Sequence, residues 1–385
     1  VSSNVLGTVV RNGETVLKNP SRPFIADLDT IPFPARHLLN MEAYIEVTKH
    51  YPLTMRRPST TFVTSRGCPK ECVYCSIQPV WGVRKWRGRS PKNVVDEFEH
   101  LMDRYSVSEF HWMDDSAATN RNRIEGICRE IIERRMDIKW TTPNGIAHWE
   151  LNESRLDLMK RAGCYRVTFG VESGNDEIRR FIGKPHSLGQ AKRVIRHANS
   201  IGMWTLATFI IGFPHETEAQ IRETIDFAVD SGVDMAIFYL LIPVPGTQVY
   251  EILKKDGLVS FESFLDVTRR SSLTTEDLAD IGTRMAGLGT TTRLFGESEL
   301  RAFVSDAYAR FLRHRIRSIG NVGRWMRKIR SFEDLAYMAR LGVVFSPSVA
   351  RLITSKRFTI HDLWPSRKDM ASVVEKQLSP KGPVQ

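Results

Sequence analysis

From Thr60 to Ile242, short apolar runs alternate with amphipathic stretches, and this alternation constrains the fold more than any other feature of the chain. The runs at 61–65, 109–113, 138–142, 166–171, 206–211 and 235–242 have the length of buried strands. Between them, 93–105, 121–135, 153–162, 189–201 and 218–231 read as helices. Val94, Phe98, Leu101 and Met102 show the i, i+3, i+4 spacing of one buried helix face. Ser90-Pro91 supplies a cap and a proline at the start of that helix. Strands that alternate with helices pair in parallel, so the expected class is α/β. Such a sheet either closes toward a barrel or stays open. In both forms functional residues sit where strands end and loops begin.

The rest of the chain is organised around that segment. Residues 1–58 are a linker broken by prolines at 19–24 and 31–36. Residues 59–258 form the expected core, 259–365 a helical C-terminal region, and 366–385 a polar tail expected to be mobile. No apolar run is long enough to cross a bilayer, and the first residues lack a signal peptide's layout, so a cytoplasmic location is expected.

Net charge is +11, and residues 293–369 hold 16 Lys and Arg against 7 Asp and Glu, a surplus of nine. The basic character therefore belongs to the C-terminal region. There, 308–317 and 325–330 mix basic with large apolar residues. A solvated helix face packed on the core and peripheral contact with an anionic membrane surface both suit this pattern. Nucleic acid suits it least.

Three of the five cysteines lie within eight residues, in Gly67-Cys68-Pro-Lys-Glu-Cys72-Val-Tyr74-Cys75. An odd total with this clustering argues for a metal site over a disulfide framework. Three soft thiolates at C-x3-C-x2-C spacing can bend around one iron–sulfur cluster. A four-iron cube held by three thiolates keeps one iron open to a ligand. Structural zinc wants four protein ligands, and the nearest further candidates, His100 and His111, are remote in sequence. Cys128 and Cys164 read as small buried apolar residues.

C-x3-C-x-(aromatic)-C directly after a first strand resembles the signature of the radical S-adenosylmethionine (SAM) superfamily, with Tyr74 at the aromatic position. The resemblance covers roughly residues 58–258. It implies a partial (β/α)6 TIM-like barrel and a [4Fe–4S] cluster on Cys68, Cys72 and Cys75. It also implies SAM chelated at the open iron and an external electron donor. In that family the cluster cleaves SAM to a 5′-deoxyadenosyl radical, which takes a hydrogen atom from the substrate. The cofactor supplies this chemistry and the protein aims it.

The resemblance also implies where SAM would be held. Asp114 and Asp115 follow the second strand, where the family contacts the SAM amino group. Asp-Asp here replaces a frequent Gly-Gly-Glu, and a helix cap is the competing reading. Glu172 and Ser173 end the fourth strand, in Gly-Val-Glu-Ser-Gly, with helix capping as the alternative. Gly212 and Phe213 end the fifth, where the family's backbone cradles adenine and Phe213 could cover the ring. Glu216 is equally readable as a cap. Pro245 lies in the turn after the sixth strand, and Asn144 follows the third. His148, Trp149, Trp86 and Arg87 are candidates for a substrate pocket, the two tryptophans being readable as simple packing.

The stretch from Arg22 to Ala35 resembles the linker between a cobalamin-binding domain and a radical SAM core, and Gly-Phe-Pro and Pro-Val-Pro-Gly-Thr resemble the same branch. That branch includes methyltransferases and ring-forming enzymes, so cobalamin is a candidate further cofactor, although no D-x-H-x-x-G stretch to ligate cobalt stands in this chain. The expected activity is a SAM-derived radical acting on an unreactive C–H bond of a small or lipid-like substrate, for methyl transfer or oxidative rearrangement. The alternatives are an RNA-modifying enzyme like the tRNA methylthiotransferases and a non-catalytic cluster scaffold.

Overall fold

The computed structural model describes residues 5–49, 51, 53–184, 186–259, 291–318 and 322–354. The tail expected at 366–385 lies outside these described residues. Six strands form one parallel sheet: β1 (Ser59–Phe62), β2 (Glu109–Trp112), β3 (Lys139–Ile146), β4 (Cys164–Glu172), β5 (Trp204–Ile211) and β6 (Met235–Leu240). They lie side by side in chain order. A sheet wound in one direction by right-handed crossovers keeps its helices on one face and curls away from them. Among the described residues β1 and β6 do not pair. The result is the expected partial (β/α)6 barrel.

The crossover helices are α1 (Pro91–Tyr105), α2 (Arg121–Glu133), α3 (Glu153–Arg161), α4 (Asp176–Ile182), α5 (Leu188–Ser200) and α6 (Glu218–Asp230), followed by α7 (Gln248–Lys255). Ser90 caps α1 as expected, its side chain accepting the Asn93 N–H at 3.2 Å. Side chains alternate across the sheet. Phe62, Phe110, Trp112, Trp140, Phe169, Phe209 and Phe238 face the helices and share one core with Val94, Phe98, Ile124 and Ile195. Trp112 and Trp140 stack there at 4.4 Å. Glu109, His111, Arg166, Thr168, Glu172 and Thr208 take the alternate positions, so the inner face of the barrel is polar.

Some boundaries differ from the sequence expectation for identifiable reasons. Strand β1 starts at Ser59 because its pairing with β2 begins opposite Glu109. Strand β3 runs on to Ile146 and takes in Asn144. Its register breaks between Thr142 and Ile146, where Pro143 has no N–H to give. The seven-residue α4 was foreseen only as the capping alternative after β4, since it is too short to display helical periodicity, and its cap is Asn175. The N-terminal linker contains a hairpin, Val9–Asn12 with Thr15–Lys18, and a helix, Met41–Lys49.

The C-terminal helices α8 (Glu297–Arg317), α9 (Val322–Lys328) and α10 (Phe332–Thr354) lie against the core. Leu300, Val304, Ala307, Tyr308 and Phe311 of α8 join the main apolar cluster, and the Phe238 N–H donates to Tyr308 Oη at 3.0 Å. Several basic side chains of this region meet core acceptors. Arg310 pairs with Asp226, Lys328 with Asp234 at 2.7 Å, and Arg340 donates to the Met55 carbonyl at 2.7 Å. No helix among the described residues is long and apolar enough to cross a membrane.

At the N-terminal end of the barrel a polar network closes the mouth. Glu109 accepts the Met55 and Arg56 N–H groups (2.7 and 2.6 Å), the Tyr165 hydroxyl (2.7 Å) and a contact from His111 (2.8 Å). Arg166, 1% exposed, donates to the Leu53 carbonyl (2.6 Å), Thr141 (3.2 Å) and the Tyr337 hydroxyl of α10 (3.0 Å).

Candidate cluster and cofactor site

The three clustered cysteines sit on a loop, residues 67–86, at the C-terminal mouth of the barrel. A two-stranded pair closes its base, Ser65 opposite Gly88 and Arg66 opposite Arg87. Gly67 turns the chain at φ +82°. A Cβ there would lie 2.2 Å from the Lys85 carbonyl oxygen, so only glycine fits. Both aspartates after β2 pin this base. Asp114 accepts the Thr64 N–H (2.6 Å) and the hydroxyls of Thr64 and Ser65. Asp115 Oδ2 accepts the Gly67 N–H (2.7 Å) and Trp81 Nε1–H (2.9 Å).

The far side of the loop docks on α4 and α7. The Val73 N–H donates to the Ile182 carbonyl (3.1 Å), and the Val249 N–H donates to the Val73 carbonyl (3.0 Å). Val73 and Tyr74 pack on a second apolar cluster built from Ile178, Ile182, Phe213, Val249 and Leu253. Each such side chain contributes roughly 1.5–3 kcal/mol by leaving water. The loop is therefore held from both sides, and the thiols project from a fixed frame.

Beneath them lies an ion pair. Glu172 ends β4 at φ +69°, an uncommon conformation for a residue with a Cβ, and its Oε1 meets Lys184 Nζ at 2.8 Å. Lys184 also stands 5.9 Å from the Tyr74 ring and 5.6 Å from the Trp149 ring. Burial pushes the Cys72 thiol up to about 11, against the Lys184 charge, with Cys75 and Cys68 adding to the rise. Burial raises Cys68 and Cys75 as well. The three thiols thus feel one another and a common cation. Among the described residues no three His, Cys, Asp or Glu side chains close on a single ion. Three free, soft thiols on one short loop are the donors that iron–sulfur clusters take, so the chemistry of this donor set fits a cluster.

Comparison with known proteins supplies the family. Residues 62–228 match the profile of the radical SAM superfamily. The chain is 35% identical over 260 residues to the cytidylyl-2-hydroxyethylphosphonate methyltransferase of Streptomyces wedmorensis, covering 66% of this chain and 48% of that protein. It is 32% identical over 254 residues to the anaerobic magnesium-protoporphyrin IX monomethyl ester cyclase of Rubrivivax gelatinosus, covering 66% and 44%.

Residues 62–228 are a radical SAM domain.

The radical SAM core also shares its fold with the methyltransferase TsrM of Kitasatospora setae, whose structure has cobalamin and a [4Fe–4S] cluster bound. The TM-score is 0.51 at 18% identity, over 66% of this chain and 50% of that one. The chain spans about half the length of the relatives it matches.

Within this radical SAM core the expected site residues separate into two groups. Tyr74, Asp115 and Glu172 lie around the cysteine loop, Glu172 paired there with Lys184, which the sequence did not point to. Asn144 is exposed on the rim, its side chain donating to the Met113 carbonyl at 2.9 Å. Pro245 lies in a turn whose Gly246 packs against Pro79 of the cysteine loop. Gly212 takes φ +95°, and its N–H and that of Phe213 donate to Glu216 Oε2 (2.7 and 3.1 Å), which makes Glu216 the clasp of this turn. Phe213 is fully buried 6.0 Å from Tyr74, supporting the cysteine loop from below where the sequence suggested cover for a ligand ring. Ser173 is turned into the helical layer, bonded to Thr224 at 3.1 Å. Trp86 and Arg87 also serve the frame, donating to the carbonyls of Ser116 (2.9 Å) and Ile25 (2.6 Å).

Sequence reasoning missed Lys184, Arg179 and His186. Lys184 follows the short α4, whose C-terminal turn at Gly183 carries it back beneath Cys72. A lysine just after Gly183, between two short segments, has no periodic signal to mark it.

Proposed function

We propose that this chain is the catalytic core of a radical SAM enzyme acting on a small molecule bound in the polar interior of the barrel. The reaction class is methyl transfer or oxidative rearrangement. The observation that carries this reading is the cysteine loop itself: three thiols on a doubly anchored frame, above a buried Glu172–Lys184 pair, at the catalytic end of a parallel barrel. When bound, the cluster and SAM together supply a 5′-deoxyadenosyl radical that removes a hydrogen atom from the substrate.

The chain's own residues hold and shield. Cys68, Cys72 and Cys75 ligate the cluster. Asp114 has both oxygens occupied by Thr64 and Ser65, so Asp115, which engages through one oxygen, is the carboxylate with capacity for the SAM amino group. Lys184 offers a cation to the SAM carboxylate, and Glu172, fixed by Lys184, offers its Oε2 to a hydroxyl. The backbone at Gly212 and the turn at Pro245 border the adenine. Tyr74 and Phe213 exclude water from below. An external donor provides the electron. Cobalamin joins the set in the methyl-transfer reading, which predicts turnover only when it is added.

The test is anaerobic reconstitution with iron and sulfide, followed by dithionite and SAM. Wild-type protein should release 5′-deoxyadenosine, and Cys72→Ala should reduce release to background. A cluster-loaded wild type that leaves SAM intact would overturn the reading.

A further inference from the structure

Close to the cysteine loop, buried hydrogen-bonding groups stand without partners, among them His148 and Trp149, which the sequence offered as pocket candidates. Arg179 on α4 is 1% exposed, and its Nε, Nη1 and Nη2 all lack a hydrogen bond. Its nearest acid, Asp176, is 3.7 Å away and 72% exposed. His148, at the end of the connection from β3, is 0% exposed, and neither ring nitrogen has a partner. The neighbouring Trp149 Nε1–H is also unpaired.

These groups occupy one place. The His148 and Trp149 rings are 4.9 Å apart, and His186 stacks on Trp149 at 4.4 Å. Lys70 and Lys184 each lie 5.6 Å from the Trp149 ring. Burial first, then the Arg179, Lys184 and His186 charges, push the His148 imidazole down to about 3, so it is a neutral donor in a positive field.

Buried polar groups are partnered in more than about nine cases in ten, and an unpaired buried charge is the costliest exception. The barrel shows what it does with a structural arginine, since the equally buried Arg166 makes three hydrogen bonds. Lys184 has Glu172 as a buried counter-charge at hydrogen-bond distance, whereas the counter-charge of Arg179, Asp176, is solvent-exposed and 3.7 Å away, too far for a hydrogen bond. A cationic ligand would be repelled here, and an apolar one would leave the guanidinium unsatisfied. A planar fork of N–H donors matches the two oxygens of an oxyanion.

We propose that Arg179, with His148 and the Trp149 indole N–H, binds an oxyanionic group of the substrate, a carboxylate or phosphoryl group, beside the cysteine loop. The inference rests on the radical SAM reading only in taking this ligand to be the substrate of that core. It adds the substrate's chemical class, and it separates this anion from the methionine carboxylate of SAM, which falls to Lys184.

The experiment uses the reconstituted full chain with SAM present. Inorganic phosphate and acetate are titrated at constant ionic strength against chloride, read by thermal shift and by equilibrium dialysis of labelled phosphate. SAM affinity is measured separately by dialysis. One of the two anions should bind with SAM in place. Arg179→Met and His148→Phe should each weaken it tenfold or more, Arg179→Lys less, while cluster content and SAM affinity stay within twofold. Competition between the anion and SAM, or loss of SAM binding in Arg179→Met, would assign these donors to the cofactor and overturn the proposal. Absence of anion binding by the wild type would assign them to buried water. Equal weakening by the exposed control Arg193→Met would mark the binding as nonspecific. A wild type that binds the anion through Arg179 yet leaves SAM intact would reject the radical reading and keep the site.

Discussion

The two ends of the barrel bury the same kinds of side chain and treat them in opposite ways. At the N-terminal end, Glu109 and Arg166 are enclosed and bonded to backbone carbonyls, amides and hydroxyls from three separate segments. At the C-terminal end, Arg179 and His148 are as deeply enclosed and have no hydrogen-bond partners, and Glu172 is held in a left-handed conformation. A satisfied buried network stabilises a unique closure. An unsatisfied one persists only because the surrounding fold outweighs its cost, which is the usual condition of a binding surface. Burial alone therefore does not distinguish a structural arginine from a functional one, and partnering does.

The sharpest way to break this comparison is to make the same substitution at both ends. Arg166→Met leaves Glu109 without its nearby buried cation and removes the guanidinium's bonds to the Leu53 carbonyl, Thr141 and the Tyr337 hydroxyl. Chemical denaturation should show a loss of about 3–5 kcal/mol. Arg179→Met removes a buried charge that makes no hydrogen bond and faces only the solvent-exposed Asp176 at 3.7 Å, so its cost should stay within about 1 kcal/mol, and a gain is the favoured sign. Equal losses at the two sites would mean that Arg179 is structural in the same sense as Arg166.

The second expectation concerns pH and lies at the C-terminal end. Burial lifts the Glu216 carboxyl from 4.5 to about 7, even though the Gly212 and Phe213 N–H groups favour its charged form. The folded protein then holds this proton more tightly than the unfolded chain does. The associated stability is fully present below pH 4.5 and is lost as pH rises through 7, by about 3 kcal/mol in total. Glu216→Gln has no such proton to lose, so the wild-type-minus-variant difference in stability should fall as pH rises from 5 to 8. A difference that grows with pH would show that the carboxylate is the stable form and that the clasp of the β5 turn is ionic.

The C-terminal end was the more legible of the two in the sequence. Cys68, Cys72, Cys75, Asp115 and Glu172 all fall directly after apolar strand runs, where a parallel fold must place them. The strand and helix order was equally plain, because each element spans enough residues to show its period. The N-terminal plug was not legible. It joins Leu53, Glu109, Arg166 and Tyr337, which are separated by up to 284 residues, and no local pattern announces such a meeting. Lys184 and Arg179 were hidden for a related reason, since Arg179 rides on, and Lys184 directly follows, a helix of only seven residues. Phe213 and Ser173 were placed correctly at strand ends, but a strand end has two faces, and alternation beyond the last ladder bond does not say which face a side chain takes.

The smallest effect tests how the plug is held. Tyr337 of α10 reaches the plug with one hydroxyl, which accepts from Arg166 at 3.0 Å and donates to the Leu53 carbonyl at 3.4 Å. Its ring meets Tyr165 at 5.6 Å and Trp204 at 5.5 Å, both edge-on. Tyr337→Phe keeps these ring contacts and removes only the hydroxyl, while Arg166 retains Leu53 and Thr141. The loss should be about 1 kcal/mol by denaturation. In an Arg166→Met background the hydroxyl has lost its charged partner, so the same change should cost less, with a coupling of roughly 0.5–1 kcal/mol in the double-mutant cycle. If Tyr337→Phe costs as much as Arg166→Met, then docking of α10, and not the guanidinium, closes this end. The contrast between the two ends would then lie in which helices cover them and not in how their charges are partnered.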